Sequence, residues 1–569
     1  MLVCRDAVNV PFWDEWDADI AGIFIKSGTG LLTFSDLWAQ HNESRLLLPR
    51  IFFLLLGKLT HWNVGCEMAT TFLLAVVIAT VIFRLERLTF AGGPRVRGPV
   101  FFISSLMIFS PAQSEAWLWG MELILYVPLV CILLSLVVHY SRAGLWSSCL
   151  AAMLLATVST CTFSNGLLAW IVLFPVFFLT ENGHGWATKK WPALAWLAGF
   201  CGNVLVYFHH YNFPPANGLL GKIWSDPLPL LNYFFTFLGG SLSALSWSRL
   251  DGSGANRLAI AAIIGGVLFL VFMLCCVGAF HWRKNRDLMK RLWPWLTLGG
   301  YGILSAGLAT SARALAFGTE QALSPRYGIF GISLMIALVH LVPLLALHRQ
   351  PDRTEKKTAV GLAMLGAIMA GFFLLVLPVQ VSIMNYSRLS RLQAKSCLDF
   401  VRILPEQPAM TRTLFPHYLH LRPTAAALDQ LGVFDRPLLT TNRLARLQAA
   451  GSANHVCGRI ELFHQQSGSQ FDVEGWATSP FHPGPADCVL LTCETSQTEP
   501  AVFTLMDQRS FRPDLVTQFH DPVFLLAGWQ ILCDFTNLPR GNVKIRAWAY
   551  DVKRRSVTPL ESAINLQLK

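Results

Sequence analysis

Acidic and aromatic side chains are interleaved near the start of the chain, in NVPFWDEWDADI at 9–20. A carboxylate can take the proton of a hydroxyl group as a general base, and aromatic rings beside it can pack on sugar faces. Asp14 is our first candidate for such a base and Glu15 the second, with Trp13 and Asp17 as substrate contacts. The structural alternative is that Asp14 caps a short amphipathic helix with Ile20, Ile23 and Phe24 on its apolar side, and that Asp17 stabilises its first turn.

A second polar cluster, LWAQHNESR at 37–45, comes just before an apolar run. If Thr33 or Ser35 caps a helix here, the spacing places Trp38, His41, Asn42 and Arg45 on one helical face. An arginine there could hold a phosphate through charged hydrogen bonds. Plain anchoring of a helix at the membrane surface is the alternative. The candidates are His41, Asn42 and Glu43 as substrate contacts, and Arg45 for a phosphate.

A third cluster is SPAQSEAWLWG at 110–120, which is followed closely by Glu122. Gln113 and Glu115 are further candidate substrate contacts, again beside tryptophans. An acid as far into an apolar segment as Glu122 is costly unless it is paired or functional. The alternative is an aromatic belt that contains incidental acids.

Two arginines occur in a fourth cluster, SARALAFGTEQALSPRYG at 311–328. The geometry of arginine suits phosphate. We therefore assign Arg313 and Arg326, with Tyr327, to the binding of an anionic ligand. The alternative is a salt bridge from either arginine to Glu320 that closes the loop.

The composition indicates an integral membrane protein. Of 569 residues, 53% are hydrophobic and 14% are charged, where soluble domains carry about 25% charged residues. The net charge of +11 lies largely in short basic loops between apolar runs, so we expect no nucleic-acid partner. Thirteen cysteines show no metal-binding spacing, and disulfides among Cys457, Cys488, Cys493 and Cys533 are left open, as is their pairing.

The apolar runs predict an α-helical membrane bundle of about ten spans. The basic loops between them are expected to be cytoplasmic, which places 1–45, the loop 312–325 and everything after 386 on the opposite side. The run at 229–247 is left out, because its glycines and serines favour a re-entrant or interfacial helix. The ten spans are 66–83, 99–112, 119–139, 145–162, 166–181, 191–208, 258–280, 293–311, 326–347 and 357–385.

The order of segments predicts four regions. Residues 1–65 form an outer-face loop with juxtamembrane helices, and 66–385 form the membrane domain. Residues 386–455 show helical periodicity and form a linker, and 456–569 alternate as short strands of a β-sandwich. Two explanations are open for a segment that lies on the outer face so early in the chain. Either a first membrane span is missing upstream of residue 1, or the span at 66–83 itself translocates the N-terminus across the membrane.

Several functional classes lack their sequence signals. The chain has no Walker loop, no strand-bound GxGxxG, no HExxH and no paired metal-type set of cysteines and histidines. The loops on the basic side are too short for a nucleotide-sugar domain. We therefore expect neither a nucleotide-using enzyme nor a metal site built from paired cysteines and histidines.

Five motifs, in their order along the chain, resemble a group of bacterial membrane proteins of the GT-C class of polyprenyl-phosphate-sugar glycosyltransferases. They are PFWDEWD, LWAQHNESR, SPAQSEAWLWG, FSNGLLAW and SPRYG. That group has a form nearer HNEHR, so Ser44 stands here in place of a histidine. In the tail, VEGWATSP and RSFRPDLV resemble a β-sandwich module of bacterial cell-surface and glycosylation proteins.

This resemblance implies transfer of a sugar from a polyprenyl-phosphate donor to a glycan, lipid or protein acceptor, with inversion. The donor would lie among membrane lipids at the outer face of the bacterial inner membrane, with the C-terminal domain on the periplasmic side. One carboxylate, Asp14 or Glu15, would be the base, and the second acid would orient the acceptor or bind a divalent cation. Arg326 and Arg313, assisted by Arg45, would hold the leaving phosphate.

Two other functions remain open from the sequence. The first is a non-catalytic or transport protein that handles lipid-linked glycans and uses the β domain as a binding module. The second is another kind of glycan-modifying enzyme, such as an O-acyltransferase, although no clearly placed catalytic histidine supports it.

Overall fold

The computed structural model describes residues 2–17, 20–90, 93–141, 144–179, 186–213, 225–243, 254–349, 351–449 and 457–568. The chain divides into two compact units. The first unit consists of Met1–Arg5, Thr33–Phe53 and Cys66–Met384, and the second of Asp6–Leu32, Leu54–Gly65 and Asn385–Lys569. The segment 1–65, expected to form one outer-face region, therefore contributes residues to both units.

Long apolar helices dominate the first unit. Ten helices of the described chain coincide with the expected spans: Val64–Thr89, Pro94–Ile108, Leu123–His139, Leu145–Thr160, Leu168–Leu179, Trp186–Phe208, Gly254–His281, Arg286–Phe317, Gly328–Arg349 and Pro351–Phe400. Six stretches are long and apolar enough to cross a membrane: Val64–Thr89, Gly120–His139, Lys189–Phe208, Asn256–His281, Pro325–His348 and Glu355–Phe400. These six stretches of the described residues support the expected membrane character, and the count of ten spans stays a prediction.

The exposed face of the helix Gly254–His281 shows why a membrane suits this unit. Six large apolar side chains recur there every three or four residues, which places them on one helical face. An exposed apolar stripe of this length is unfavourable in water and compatible with lipid chains. These side chains belong to Ile260, Ile263, Val267, Leu270, Leu274 and Val277.

The run at 229–247, expected not to span, contains the twelve-residue helix Leu228–Gly239; residues 244–247 lie outside the described part. At 1.5 Å per residue this helix is about 18 Å long, against about 30 Å for a bilayer core. It packs backbone to backbone on the helix Gly254–His281. A Cβ atom on Gly239 would lie 2.0 Å from the carbonyl oxygen of Ala261, so glycine is required at this crossing.

Shorter helices connect these elements or belong to the second unit. They are Leu2–Asp6, Asp14–Asp17, Ile20–Gly28, Phe34–Trp38, Leu47–Thr60, Ser114–Trp117, Pro408–Thr413, Tyr418–Gln430 and Pro513–Phe519. Single 3-10 turns lie at Pro111–Gln113, Gly120–Glu122, Ser164–Leu167, Thr319–Leu323, Pro325–Tyr327, Leu444–Arg446 and Pro522–Leu526.

In the second unit, the expected C-terminal β region is confirmed as two sheets. Its strands are β3 (Gln448–Ala449), β4 (Gly458–Ser467), β5 (Gln470–Ala477), β6 (Cys488–Thr495), β7 (Thr498–Leu505), β8 (Gln508–Ser510), β9 (Gly528–Asp534), β10 (Gly541–Asp551) and β11 (Ser556–Leu568). One sheet has the order β3-β11-β10-β6-β7 and the other β4-β5-β9-β8. All neighbours are antiparallel except β3 and β11. The rings of Phe503 and Phe535, one from each sheet region, lie 5.6 Å apart.

Two expectations about the second unit have clear outcomes. Ile20, Ile23 and Phe24 are buried, as the amphipathic pattern predicted. Among the described residues, which include all thirteen cysteines, every cysteine is a thiol, and the four in the polar C-terminal part are buried.

Candidate functional site

A hairpin with a two-residue turn positions the HNES motif, residues 41–44 of the second polar cluster, in the first unit. Thr33, one of the two expected caps, caps the helix Phe34–Trp38 through a capping box with Asp36. The helix ends at Trp38, and the chain turns back as β1 (Gln40–His41) and β2 (Ser44–Arg45). The expectation that His41, Asn42 and Arg45 share a helical face is therefore wrong. Asn42 occupies the turn at φ 47°, a left-handed conformation that asparagine tolerates.

Arg45 is buried and bonded to backbone rather than open to a ligand. Its guanidinium donates to the carbonyl oxygens of Trp38, Tyr207, His209 and His210 at 2.8–3.2 Å. These bonds tie the hairpin to the segment that follows the helix Trp186–Phe208. A phosphate contact by Arg45, as predicted from the sequence, would require some of these bonds to be given up.

Ser44 links the HNES motif to the FSNG motif. Its hydroxyl oxygen accepts a hydrogen bond of 3.2 Å from the backbone N–H of Ser164. The adjacent Gly166 has no room for a side chain, since a Cβ atom would lie 1.9 Å from the carbonyl oxygen of Ser159. The residue that departs from the HNEHR form is thus a buried packing contact.

Glu43, in the hairpin turn, forms an ion pair with Arg313. Nη2 of Arg313 donates to Oε2 of Glu43 at 2.9 Å, and Nη1 donates to the hydroxyl oxygen of Tyr327 at 2.7 Å. Burial disfavours the charge of Arg313, but Tyr327 and Glu43 outweigh it and raise the pKa of Arg313. In the described chain Arg313 pairs with Glu43 and not with Glu320.

The hydroxyl oxygen of Tyr327 accepts two hydrogen bonds. Its oxygen accepts from Arg313 and, at 2.8 Å, from Nε2 of Gln321. Two N–H donors use both lone pairs of the oxygen, so its own proton is available for donation to an acceptor. Donors on Arg313 and Tyr327 therefore lie together beside one carboxylate.

These groups lie at a cavity of about 460 Å³ within the first unit. Among the described residues that line it, Glu43 and Arg313 carry the only charges. Its walls are largely aromatic and aliphatic, and several wall residues are also exposed on the apolar surface, such as Phe213, which is 73% exposed. The walls include Phe163, Phe208, Phe213, Leu308, Leu315 and Phe330.

Arg326 precedes the cavity residue Tyr327 in the chain, but its side chain contacts the SPAQSEAW motif. Its Nη1 lies 3.5 Å from Oε1 of Glu122 and 3.8 Å from Oε1 of Glu115. Its guanidinium also covers the ring of Trp119, 5.4 Å from the centroid. Glu122 thus has the ionic partner that its burial requires.

Gln113 is buried in the same part of the first unit. It donates to the carbonyl oxygen of Ile108 at 2.9 Å and accepts from the hydroxyl of Tyr126 at 3.0 Å. A Cβ atom on Gly328, in SPRYG, would lie 3.0 Å from Cγ of Gln113. Four of the five motifs are therefore joined by contacts within one unit.

The fifth motif, PFWDEWD, belongs to the second unit. Glu15 is fully buried, and its Oε2 accepts the backbone N–H of Phe12 at 2.7 Å. Asp14 is the first residue of the helix Asp14–Asp17 rather than the residue before it, so the expected N-cap role of Asp14 is wrong. Asp17 is exposed, and Trp13, at φ 46°, is 40% exposed.

The sequence did not single out three contributors. Tyr207 donates from its hydroxyl to the carbonyl oxygen of Glu43 at 2.6 Å. Gln321 orients Tyr327, and Asn165, within the quoted FSNG motif, lines the cavity. The tyrosine-rich YFHHYNF after a span was the available signal for Tyr207.

The described residues contain no group of three or more histidine, cysteine, aspartate or glutamate side chains arranged to hold a metal ion. A divalent cation beside the acidic pair thus remains a prediction from the resemblance alone. In comparisons with known proteins, no family model, no curated protein and no solved structure matches the chain.

Proposed function

We propose that the protein is an inverting membrane glycosyltransferase of the GT-C type. It transfers a sugar from a polyprenyl-phosphate donor to a glycan, lipid or protein acceptor on the outer face of the bacterial inner membrane. The observation that supports this most is the Glu43–Arg313 ion pair at an otherwise uncharged, mostly apolar cavity of about 460 Å³. A lipid-linked phosphate ester is the class of ligand that needs both apolar walls and a cation.

The cavity walls support a lipid-soluble donor. Phe208, Phe213 and Leu308 line the cavity and are also exposed on the apolar surface of the unit. A ligand that arrives through the hydrocarbon phase therefore meets apolar side chains before it meets the ion pair.

The polar end supports a phosphate leaving group. Arg313 supplies charged N–H donors, and Tyr327 supplies an O–H donor that the guanidinium polarises. Negative charge grows on the phosphate oxygen as its bond to the sugar breaks, and these donors stabilise that charge. Arg326 lies next in the chain to Tyr327 and is the second candidate cation.

For the base, Asp14 and Glu15 remain the candidates that the resemblance implies. Asp14→Asn and Glu15→Gln test them: retention of transfer by both variants would remove this motif from the chemistry. Trp13 and Asp17 are its proposed substrate contacts. We place the β domain on the same outer side of the membrane.

Transport of a lipid-linked glycan is a second candidate, favoured by one observation. Glu86 and His340 are fully buried on the apolar helices Val64–Thr89 and Gly328–Arg349, with Oε2 and Nε2 3.9 Å apart. Ionisable groups inside a membrane domain are frequent on ion and substrate pathways.

One experiment separates the two functions. Cells that lack the gene are analysed by mass spectrometry for lipid-linked sugars and envelope glycans, and the leaflet of any accumulating lipid is determined. A transferase predicts a polyprenyl-phosphate sugar that accumulates in the outer leaflet, whereas a transporter predicts accumulation in the inner leaflet. Unchanged lipid-linked sugars would contradict both proposals.

A further inference from the structure

We infer that Glu43 is the carboxylate that takes the proton of the acceptor, and that the phosphate of the donor frees it by drawing Arg313 away. This inference rests on the proposed function, but it moves the role of base from Asp14 and Glu15 to Glu43, a residue that sequence patterns alone made a substrate contact. It concerns the pair of Glu43 and Arg313 in the cavity of the first unit.

Glu43 lies where a base of this reaction has to lie. Of the acids that the sequence singled out, Glu43 is the one that lines the cavity together with a cation. The hairpin turn holds it there, since its carbonyl oxygen accepts from Tyr207 and the next two residues are bonded to Ser164 and to the segment 207–210. A base must lie within hydrogen-bond reach of the proton that it removes, and this rigid turn provides such a placement.

Glu43 and the phosphate of the donor compete for the guanidinium of Arg313. Arg313 divides its Nη donors between Glu43 and Tyr327. A donor phosphate at the same guanidinium offers a second anion, and arginine binds phosphate in a bidentate manner. The side chains of Glu43 and Arg313 are only about one fifth exposed, so the guanidinium needs an anionic partner, and the phosphate replaces the carboxylate in that role.

The reaction is a displacement at the anomeric carbon of the donor sugar. The acceptor hydroxyl oxygen attacks the anomeric carbon, and a new C–O bond forms on the face opposite the phosphate. The bond from that carbon to the phosphate oxygen breaks, and its electron pair stays on the polyprenyl phosphate. The hydroxyl proton passes to Glu43, while Arg313 and the O–H of Tyr327 hold the departing phosphate.

Glu43→Gln tests the inference, because a base and a structural residue predict opposite results. Binding of polyprenyl monophosphate, without sugar, is measured on the purified full chain in detergent. The variant should bind about two- to five-fold more tightly, because the competing carboxylate is gone. Transfer should fall about 10²- to 10⁴-fold, measured as loss of complementation and accumulation of the lipid-linked sugar in deletion cells.

Two further variants complete the design. Glu43→Asp retains a carboxylate and should recover part of the transfer. Glu320→Gln removes an exposed acid of the loop before Arg326 and should leave both binding and transfer unchanged. Equal expression and equal melting temperature of all variants are required before rates are compared.

Glu43→Gln with near-normal transfer would overturn the inference while the proposed function stands. Loss of polyprenyl monophosphate binding together with transfer would also overturn it, because Glu43 would then serve binding or structure. If the unaltered protein does not bind polyprenyl monophosphate and deletion cells accumulate no lipid-linked sugar, the proposed function itself fails.

Discussion

Arg313 donates a hydrogen bond of 2.9 Å from Nη2 to Oε2 of Glu43, and this bond joins residues 270 positions apart in the chain. It connects the turn of the β1–β2 hairpin to the C-terminal end of the helix Arg286–Phe317. Both residues line the same apolar cavity. The arginine that the sequence offered for a phosphate therefore already holds an internal anion, which any ligand phosphate must replace or share.

Arg45→Lys should destabilise the first unit without weakening the binding of a phosphate. Lysine has one nitrogen and cannot satisfy four carbonyl oxygens that now accept from the guanidinium, so the free energy of unfolding should fall by about 2–4 kcal/mol. The melting temperature of the purified chain measures this, with Arg95→Lys on an exposed site as control. Loss of polyprenyl monophosphate binding at unchanged melting temperature would instead show that Arg45 is a ligand contact.

Two adjacent glycines in the helix Gly254–His281 should respond differently to alanine. A Cβ atom on Gly265 would lie 1.9 Å from the carbonyl oxygen of Phe235, whereas one on Gly266 meets nothing within 4 Å. Gly265→Ala must push the helices Leu228–Gly239 and Gly254–His281 apart, so the free energy of unfolding should fall by about 3 kcal/mol or more. Gly266→Ala should be neutral or stabilise by up to about 1 kcal/mol through helix propensity. Equal melting temperatures for the two variants would refute this close packing.

The buried pair of Glu86 and His340 should behave as a coupled unit. Nδ1 of His340 donates to the carbonyl oxygen of Ile336 at 2.8 Å, which leaves Nε2 towards Glu86. His340→Phe alone should lower the free energy of unfolding by about 2–3 kcal/mol, because the carboxyl group of Glu86 stays buried without this partner. The additional change Glu86→Leu should recover part of that loss. A double-mutant cycle on melting temperatures checks the coupling, and purely additive effects would argue against it.

Asp507 should make the stability of the β domain depend on pH. Burial raises the pKa of Asp507 to about 6 in the folded protein, although the hydrogen bond from the backbone N–H of Leu532 acts to lower it. The pKa of an aspartate in the unfolded chain is about 3.9. The folded state then binds the proton more tightly, so the stabilisation is complete below about pH 4 and is lost as pH rises to about 6. The total change is about 2–3 kcal/mol.

Hydrogen exchange of the β9 amides in the full chain, corrected for intrinsic rates, measures this dependence. Asp507→Asn should flatten the curve between pH 4 and 6, and the exposed Glu499→Gln should leave it as in the unaltered chain. An unaltered slope in Asp507→Asn would assign the titration to another group.

The sequence by itself determined the features that depend on local pattern. Apolar runs long enough for a bilayer, the Thr33 cap, the buried face of Ile20, Ile23 and Phe24, and the alternating strands after Cys457 were all predicted. Each depends on neighbours within a few positions along the chain, so composition and periodicity suffice to find it. The residues that form the candidate site were mostly found as well, because polar clusters at the ends of apolar runs are conspicuous.

Only the tertiary structure decided which of these residues meet. The HNES segment was predicted to be helical, and it is a hairpin because the buried Arg45 is bonded to carbonyl groups near residue 208. Glu43 rather than Glu320 pairs with Arg313, and Asp14 is the first residue of its helix rather than its cap. Such choices depend on contacts between residues far apart in the chain and on which side chains are removed from water, and neither leaves a periodic pattern in the sequence.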